Sequence, residues 1–255
     1  MSGTSTRRWL VRTAAVVIAA AAVAAGTVAA RAAERSDDVG ATIIGGHDAT
    51  QTYSFMVSLQ QAGSRHFCGG SLISSRWVVT AKHCVSSSGF QMRIGSRLRT
   101  SGGTVVGVAR IVRHPSSDIA LVQTDRAVAA APVAIAPSTS VGQKTRLIGW
   151  GQTCPRPGCG QVPNVLQELD TSLVADSRCG GIRGATEICV DNGGGVSGAC
   201  YGDSGGPALT PGAGGAFLLT GATSRSGGGS VCATAPSVYV DVPAHRTWIR
   251  QNTGV

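Results

Sequence analysis

Cys200-Tyr201-Gly202-Asp203-Ser204-Gly205-Gly206-Pro207 is the stretch on which the reading of this chain turns. A single serine stands there among small residues, with an aspartate directly before it and a cysteine a few places back. Glycines on both sides let the backbone come close to a second molecule and take up conformations that a Cβ forbids. The N–H groups of Gly202 and Ser204 are spaced to converge on one point, as a developing oxyanion requires. A serine hydroxyl is a weak nucleophile until a base is placed beside it, so the rest of the chain must supply that base.

The base is found in Val78-Val79-Thr80-Ala81-Lys82-His83-Cys84, a short apolar run that ends in a histidine. An acid is then needed to hold the imidazole in one tautomer. Asp118-Ile119-Ala120-Leu121 offers one: a lone aspartate leading into an apolar run, a carboxylate whose burial is costly without a partner. Ile43-Ile44-Gly45-Gly46, Cys68-Gly69-Gly70-Ser71-Leu72-Ile73, Gly149-Trp150-Gly151 and Val238-Tyr239 complete the set. In this order the motifs resemble the trypsin/chymotrypsin family of serine proteases, in the style of its secreted actinobacterial members, and they run from residue 43 almost to the C-terminus. The chain order His83, Asp118, Ser204 is that of the chymotrypsin-type arrangement.

The resemblance implies a serine endopeptidase that hydrolyses peptide bonds through an acyl-enzyme, with His83, Asp118 and Ser204 catalytic and Gly202 and Ser204 forming the oxyanion hole. It also implies a Ser224 hydroxyl near Asp118. No cofactor or metal is expected, and the interval between His83 and Asp118 lacks acids in its middle, which argues against calcium there. Two other classes compete. One is a catalytically silent protease-fold protein that binds a partner; the intact trio and the glycines beside Ser204 argue against it. The other is an esterase, for which Gly202-Asp203-Ser204-Gly205-Gly206 matches a short motif but lacks the strand–turn–helix setting.

The 255-residue chain is long enough for a substantial core. Its formal charge is +9, and the part after residue 42 retains +7. The arginines are scattered rather than interleaved with aromatics, which excludes a nucleic-acid partner. Residues 1–12 are basic, residues 13–30 carry no charge and are mostly alanine and valine, and Ala30-Arg31-Ala32 offers a cleavage site. This predicts a signal peptide over 1–32 and a secreted protein with no membrane attachment after its removal. Thr6-Arg7-Arg8-Trp9-Leu10-Val11 reads either as a twin-arginine export signal or as an ordinary basic leader. Residues 33–42 read as a propeptide.

The resemblance further implies activation by cleavage before Ile43, whose ammonium would pair with Asp203; a buried carboxylate of this kind needs a cation. The preceding residue is Thr42 rather than arginine or lysine, so a separate activating protease is expected. The mature protein is expected to be a monomer acting on protein or peptide substrates.

Short apolar runs punctuated by glycine and serine predict strands over residues 55–59, 71–80, 91–94, 104–112 and 119–123. A second series covers 144–150, 167–173, 187–190, 207–209, 217–224 and 237–240. The fold expected is all-β: two packed six-stranded Greek-key antiparallel β-barrels, about 43–128 and 143–243, with the site between them. A C-terminal helix follows at about 244–252, with Trp248 and Ile249 on one face.

Eight cysteines point to an oxidising destination. The resemblance pairs Cys68 with Cys84, Cys179 with Cys189, and Cys200 with Cys232, leaving Cys154 and Cys159 to close a small loop. The other histidines, His47, His66, His114 and His245, read as surface or packing residues, and Lys82 as a surface neighbour of the base.

In the family, the residue six before the catalytic serine floors the primary pocket, and here it is Gly198, followed by Ala199. With no carboxylate there, a buried lysine or arginine side chain has no partner. Tyr201, Ser224, Arg225, Ser226 and Ser237 align with the pocket walls. Ser226 and Ser237 stand where chymotrypsin-like pockets have glycine, predicting a narrower slot for small or medium uncharged residues. Arg225 replaces a usual tryptophan beside the substrate strand and reads either as pointing to solvent or as favouring an acidic residue in the peptide.

Overall fold

The structure, a computed structural model, describes residues 43–87, 89–159 and 162–255. The leader, propeptide and Thr42 lie outside the described residues. The chain forms β1 (His47–Asp48), β2 (Met56–Gln61), β3 (Arg65–Ser74), β4 (Trp77–Thr80), β5 (Gln91–Ile94), β6 (Thr104–Val106), β7 (Val108–Arg113) and β8 (Ala120–Thr124). There follow β9 (Ala134–Ile135), β10 (Lys144–Gly149), β11 (Gln167–Val174), β12 (Glu187–Val190), β13 (Pro207–Pro211), β14 (Phe217–Ser226), β15 (Ser237–Asp241) and the helix α1 (Arg246–Thr253).

The molecule is all-β apart from α1 and short 3₁₀ turns. In the second half, the order β11-β10-β13-β14-β15-β12 returns on itself through β11–β12 pairing and closes a six-stranded antiparallel barrel. β1 adds to the outside of β11, and β9 runs parallel to β14. In the first half, β6-β5-β2-β3-β4-β8-β7 form a curved antiparallel sheet, a half-barrel.

Two expected strands are in fact divided. The run 71–80 is the end of β3, a turn at Ser75 and Arg76, and β4, which fold back on each other with Leu72 opposite Val78. No glycine or proline marks that turn; Arg76 holds it from outside by donating to the carbonyl of Thr124. The run 104–112 breaks at Gly107 into β6 and β7, which lie at opposite edges of the sheet.

β4 is wholly buried, as expected of a Trp-Val-Val-Thr run between two neighbours. The largest apolar cluster gathers Met56, Leu59, Leu72, Val78, Met92 and Leu121 from the first sheet. It continues into Ile148, Trp150, Leu209 and Val240 of the second, so one core runs through both. A smaller cluster within the barrel holds Ile43 with Leu147, Val190, Ala199 and Tyr239. Ile249 of α1 is fully buried, while Trp248 sets its ring edge-on to His114 at 4.9 Å.

The halves meet backbone to backbone. The N–H of Gly69 in β3 donates to the carbonyl of Ser204 at 2.8 Å. A Cβ on Gly69 would lie 2.7 Å from the Cα of Gly206, closer than any side chain tolerates. The glycines of the Cys68 and Ser204 motifs therefore face each other across this seam.

Candidate active site

Strand register brings the first two residues together. Thr80 is paired with Ala120, so the chain leaving β4 and the chain arriving at β8 are neighbours. His83 lies in the 3₁₀ turn Lys82–Val85 just past β4, and Asp118 just before β8. The ring Nδ1 of His83 lies 2.8 Å from Asp118 Oδ2, and the backbone N–H of His83 donates to Asp118 Oδ1 at 3.0 Å. The Ser224 hydroxyl donates to Oδ2 at 2.7 Å. Burial pushes the Asp118 carboxyl up, but the bonds from His83 and Ser224, with the attraction of His83, outweigh it and hold the group below its usual range.

Ser204 arrives from the other half. The N–H of Gly205 donates to the carbonyl of Thr223 at 2.7 Å and the N–H of Thr223 to that of Gly206 at 2.9 Å, tying the serine loop to β14. Ser204, Gly202 and His83 line one cavity of about 680 Å³. Among the described residues, neither the Gly202 nor the Ser204 N–H has a protein acceptor. Ser204 Oγ makes no hydrogen bond to His83 here; such bonds often tighten only once a substrate is bound. A hydroxyl, an imidazole backed by a carboxylate and two unpaired N–H groups in one cavity can together carry out acyl transfer.

Asp203 is turned inward. Its Oδ1 accepts from Gly151 N–H at 2.7 Å and its Oδ2 from Cys200 N–H at 2.9 Å. Burial pushes its carboxyl up to about 6, against the pull of those two donors. The Gly149 and Gly151 positions make room for it: a Cβ on either would fall within 2.2 Å of a carboxylate oxygen. Ile43 is buried, and Ile44 bridges Gly198, whose N–H donates to the Ile44 carbonyl at 2.9 Å.

His66 is a packing histidine, as expected, but its place bears on the site. It lies buried between the Ser58 hydroxyl, 2.8 Å from Nδ1, and the carbonyl of Gly202, 3.0 Å from Nε2. Burial drives its pKa down to about 4, so the ring is neutral near pH 7 and Nε2–H fixes the Gly202 peptide. Its position just before Cys68 was the only trace of this in the sequence.

Ala199, Tyr201, Ser224, Arg225, Ser226 and Ser237 all line the cavity, and no carboxylate does so among the described residues. Gly198 lies against the lining residues Ser237 and Ala233: a Cβ there would stand 3.8 Å from Ser237 Oγ. Tyr201 donates its hydroxyl to the carbonyl of Ser230 at 2.7 Å, fixing the rim. Arg225 lines the cavity with its side chain partly exposed, and it has an acid partner within the protein that the sequence reading did not supply. Its guanidinium grips the carboxylate of Glu187, Nη1 to Oε1 at 2.7 Å and Nη2 to Oε2 at 2.8 Å. Burial pushes the Glu187 carboxyl up, but the Arg225 fork and the Arg183 N–H outweigh it and keep the group low. Glu187 sits on a different strand, 38 residues away, and nothing local in the sequence joins the two.

All four disulfides form: Cys68–Cys84, Cys154–Cys159, Cys179–Cys189 and Cys200–Cys232. The first anchors the turn that carries His83. The Cys154–Cys159 loop abuts the last, since Cys232 N–H donates to the Pro155 carbonyl at 2.9 Å. Cys68, His83 and Cys84 bring ligand-type atoms within 4.8 Å of one another, but both sulfurs are spent in a disulfide and offer no thiolate to a metal. Lys82 donates to the carbonyl of His114 at 3.2 Å, away from the imidazole. No helix among the described residues is long and apolar enough to cross a membrane.

Comparison with known proteins gives a match to the trypsin family model over residues 43–249. The chain is 33% identical over 240 residues to trypsin 5G1 of Aedes aegypti, covering 84% of this chain and 85% of that protein. It is 34% identical over 233 residues to trypsin delta of Drosophila melanogaster, covering 82% and 88%. With trypsin alpha-4 of Lucilia cuprina it shares 35% identity over 230 residues, covering 81% and 86%.

Proposed function

Because the chain belongs to the trypsin family and is a serine-type endopeptidase, we propose that it cleaves protein and peptide substrates through Ser204, His83 and Asp118. The observation that carries this reading is the one cavity lined by Ser204, by His83 with Asp118 behind it, and by Gly202, where the Gly202 and Ser204 N–H groups have no protein acceptor. Ser204 Oγ attacks the scissile carbonyl as His83 takes its proton. The N–H groups of Gly202 and Ser204 stabilise the oxyanion, and losing one such donor costs about 10²–10³ in rate. His83 then protonates the leaving amine, and water repeats the sequence on the acyl-enzyme. Asp118, held by Ser224, keeps the imidazole in the productive tautomer.

The specificity that fits this cavity is for small or medium uncharged side chains rather than arginine or lysine. Its lining offers hydroxyls and methyls, Ala199, Ser226 and Ser237 among them, and no carboxylate to pair a cation. Walls of this kind discriminate by only about 1–3 kcal/mol, so the preference is graded.

The precursor reading is that residues 1–32 direct export, 33–42 are a propeptide, and 43–255 form the protease domain, active outside the cell as a monomer. Another protease cuts after Thr42. The new Ile43 ammonium then pairs with Asp203, a step favoured by the buried Ile43 side chain and by the Ile44–Gly198 bridge beside the Asp203 segment.

The test is cleavage of an unbiased peptide library by protein beginning at Ile43, with Ser204→Ala as control. Cleavage absent from the control and not following Arg or Lys supports both mechanism and pocket. Cleavage mainly after Arg or Lys removes the pocket argument. An intact fold with no cleavage and no labelling by a serine-directed phosphonate removes the mechanism.

A further inference from the structure

Behind the Ser224 hydroxyl lies an ion pair that the chemistry above leaves unused. Arg225 holds Glu187 with both prongs of its guanidinium, and Nη2 also donates to the carbonyl of Gly181 at 2.8 Å. The Glu187 side chain is only 4% exposed, and its Oε2 takes a further bond from the Arg183 N–H at 2.8 Å. A forked pair of this kind fixes the plane of the guanidinium as well as its place.

From there the contacts continue inward. Arg225 Nη1 lies 3.5 Å from Ser224 Oγ, that hydroxyl donates to Asp118 Oδ2 at 2.7 Å, and the same oxygen lies 2.8 Å from His83 Nδ1. The row Glu187, Arg225, Ser224, Asp118, His83 thus runs from β12 through β14 to the entrance of β8. A second tie runs beside it: Arg183 Nη1 donates to the carbonyl of Ser116, two residues before Asp118.

We propose that the Glu187–Arg225 pair is a positioning device for the His83–Asp118 couple. Arg225 keeps Ser224 aimed at Asp118, and Glu187 cancels the field that a lone guanidinium would impose on the imidazole. The inference rests on reading His83 as the base. The charged groups around His83 are accounted for. Lys82 and Arg113, on its own side, are engaged by the carbonyls of His114 and Val85. His114 precedes Asp118 on the same loop, and Asp203 faces away onto Gly151 and Cys200. Arg183, tied to the Ser116 carbonyl, is a further cation on the Asp118 side, and it keeps its charge with Lys82 and Arg113 in every variant below, so a change at Glu187 or Arg225 is read against a fixed background. An unpaired cation placed there disfavours the imidazolium, and an unpaired carboxylate favours it.

The experiment measures kcat/KM against pH for the protein beginning at Ile43 and for four variants. In Glu187→Gln the guanidinium is uncompensated, and the acid limb moves to lower pH by about half a unit or more. In Arg225→Gln the Glu187 carboxylate loses its forked cation and keeps only the ties to Arg183, and the limb moves the other way. The double variant Glu187→Gln/Arg225→Gln returns the limb to near its starting place. Arg225→Lys keeps the charge without the fork, so its limb stays while kcat falls several-fold. A limb that stays put in both single variants, whatever happens to kcat or to thermal stability, overturns the proposal. Should Arg225→Gln fail to fold, Glu187→Gln and the double variant decide alone. Phosphonate labelling of Ser204 separates the two failures: labelled protein with an unmoved limb sinks only the role of the pair, whereas unlabelled starting protein sinks the reading of His83 and Ser204.

Discussion

Asp118 accepts three hydrogen bonds, from the His83 backbone at Oδ1 and from the His83 ring and the Ser224 hydroxyl at Oδ2, and the two at Oδ2 depend on its remaining a carboxylate. Asp118→Asn keeps the size and loses the charge, and its amide sets a donor against the Nδ1–H that the acid accepts. We expect kcat to fall by about 10⁴ with little change in KM or in circular dichroism; a loss below tenfold would speak against Asp118 as the orienting acid. Gly151 is constrained differently. A Cβ there would stand 2.2 Å from Asp203 Oδ2, and the backbone N–H that holds Oδ1 leaves the carboxylate nowhere to retreat. Gly151→Ala should lower stability by about 3 kcal/mol or more, read as a fall in the urea midpoint. An unchanged midpoint would mean that Asp203 has room the structure does not give it.

At the scale of the element, the disulfides differ by the length of chain they close. Cys200–Cys232 spans 32 residues and Cys154–Cys159 only 5. On the loop-entropy account, Cys200→Ser/Cys232→Ser should cost about 1.5 kcal/mol more than Cys154→Ser/Cys159→Ser. Denaturant melts of the two double variants check this, and equal losses would show that wall packing, not loop closure, sets the cost. What the sequence made legible is uneven at this scale. Strands bounded by glycine or charge, such as β5 and β12, match their runs residue for residue, because the punctuation is local. β3 starts at Arg65, ahead of the run 71–80 that the apolar pattern marks, and carries Gly69 and Gly70 within it; the backbone of Gly206 lies against Gly69. His83, Asp118 and Ser204 were legible because each carries its own flanking motif. The hold of His66 on Gly202 and of Glu187 on Arg225 was not, because a hydrogen bond between residues 136 or 38 apart leaves no period and no motif.

For the whole molecule, the proposed cut before Ile43 predicts a dependence of stability on pH that runs through Asp203. In the uncut chain its carboxyl is pushed up to about 6 from an ordinary 3.8. Between those values the folded state binds more protons than the unfolded, so this group's contribution to stability falls as pH rises, by roughly 3 kcal/mol in all. An Ile43 ammonium paired with Asp203 removes that penalty. The melting temperature of the cut form should therefore draw ahead of the uncut form between about pH 4 and 6 and hold its lead just above, both carrying Ser204→Ala to prevent self-digestion. A constant gap across this range would rule out the pairing. The glycine seam where Gly69 meets Gly206 bears on time rather than on energy. A ribosome that has reached β8 has already made His83 and Asp118, yet Ser204 is still some eighty codons away. When it comes, it is placed by contact with a strand made long before. The seam therefore joins a strand made early to a loop made late, and the Gly69–Ser204 bond cannot close until much of the second half of the chain has been synthesised.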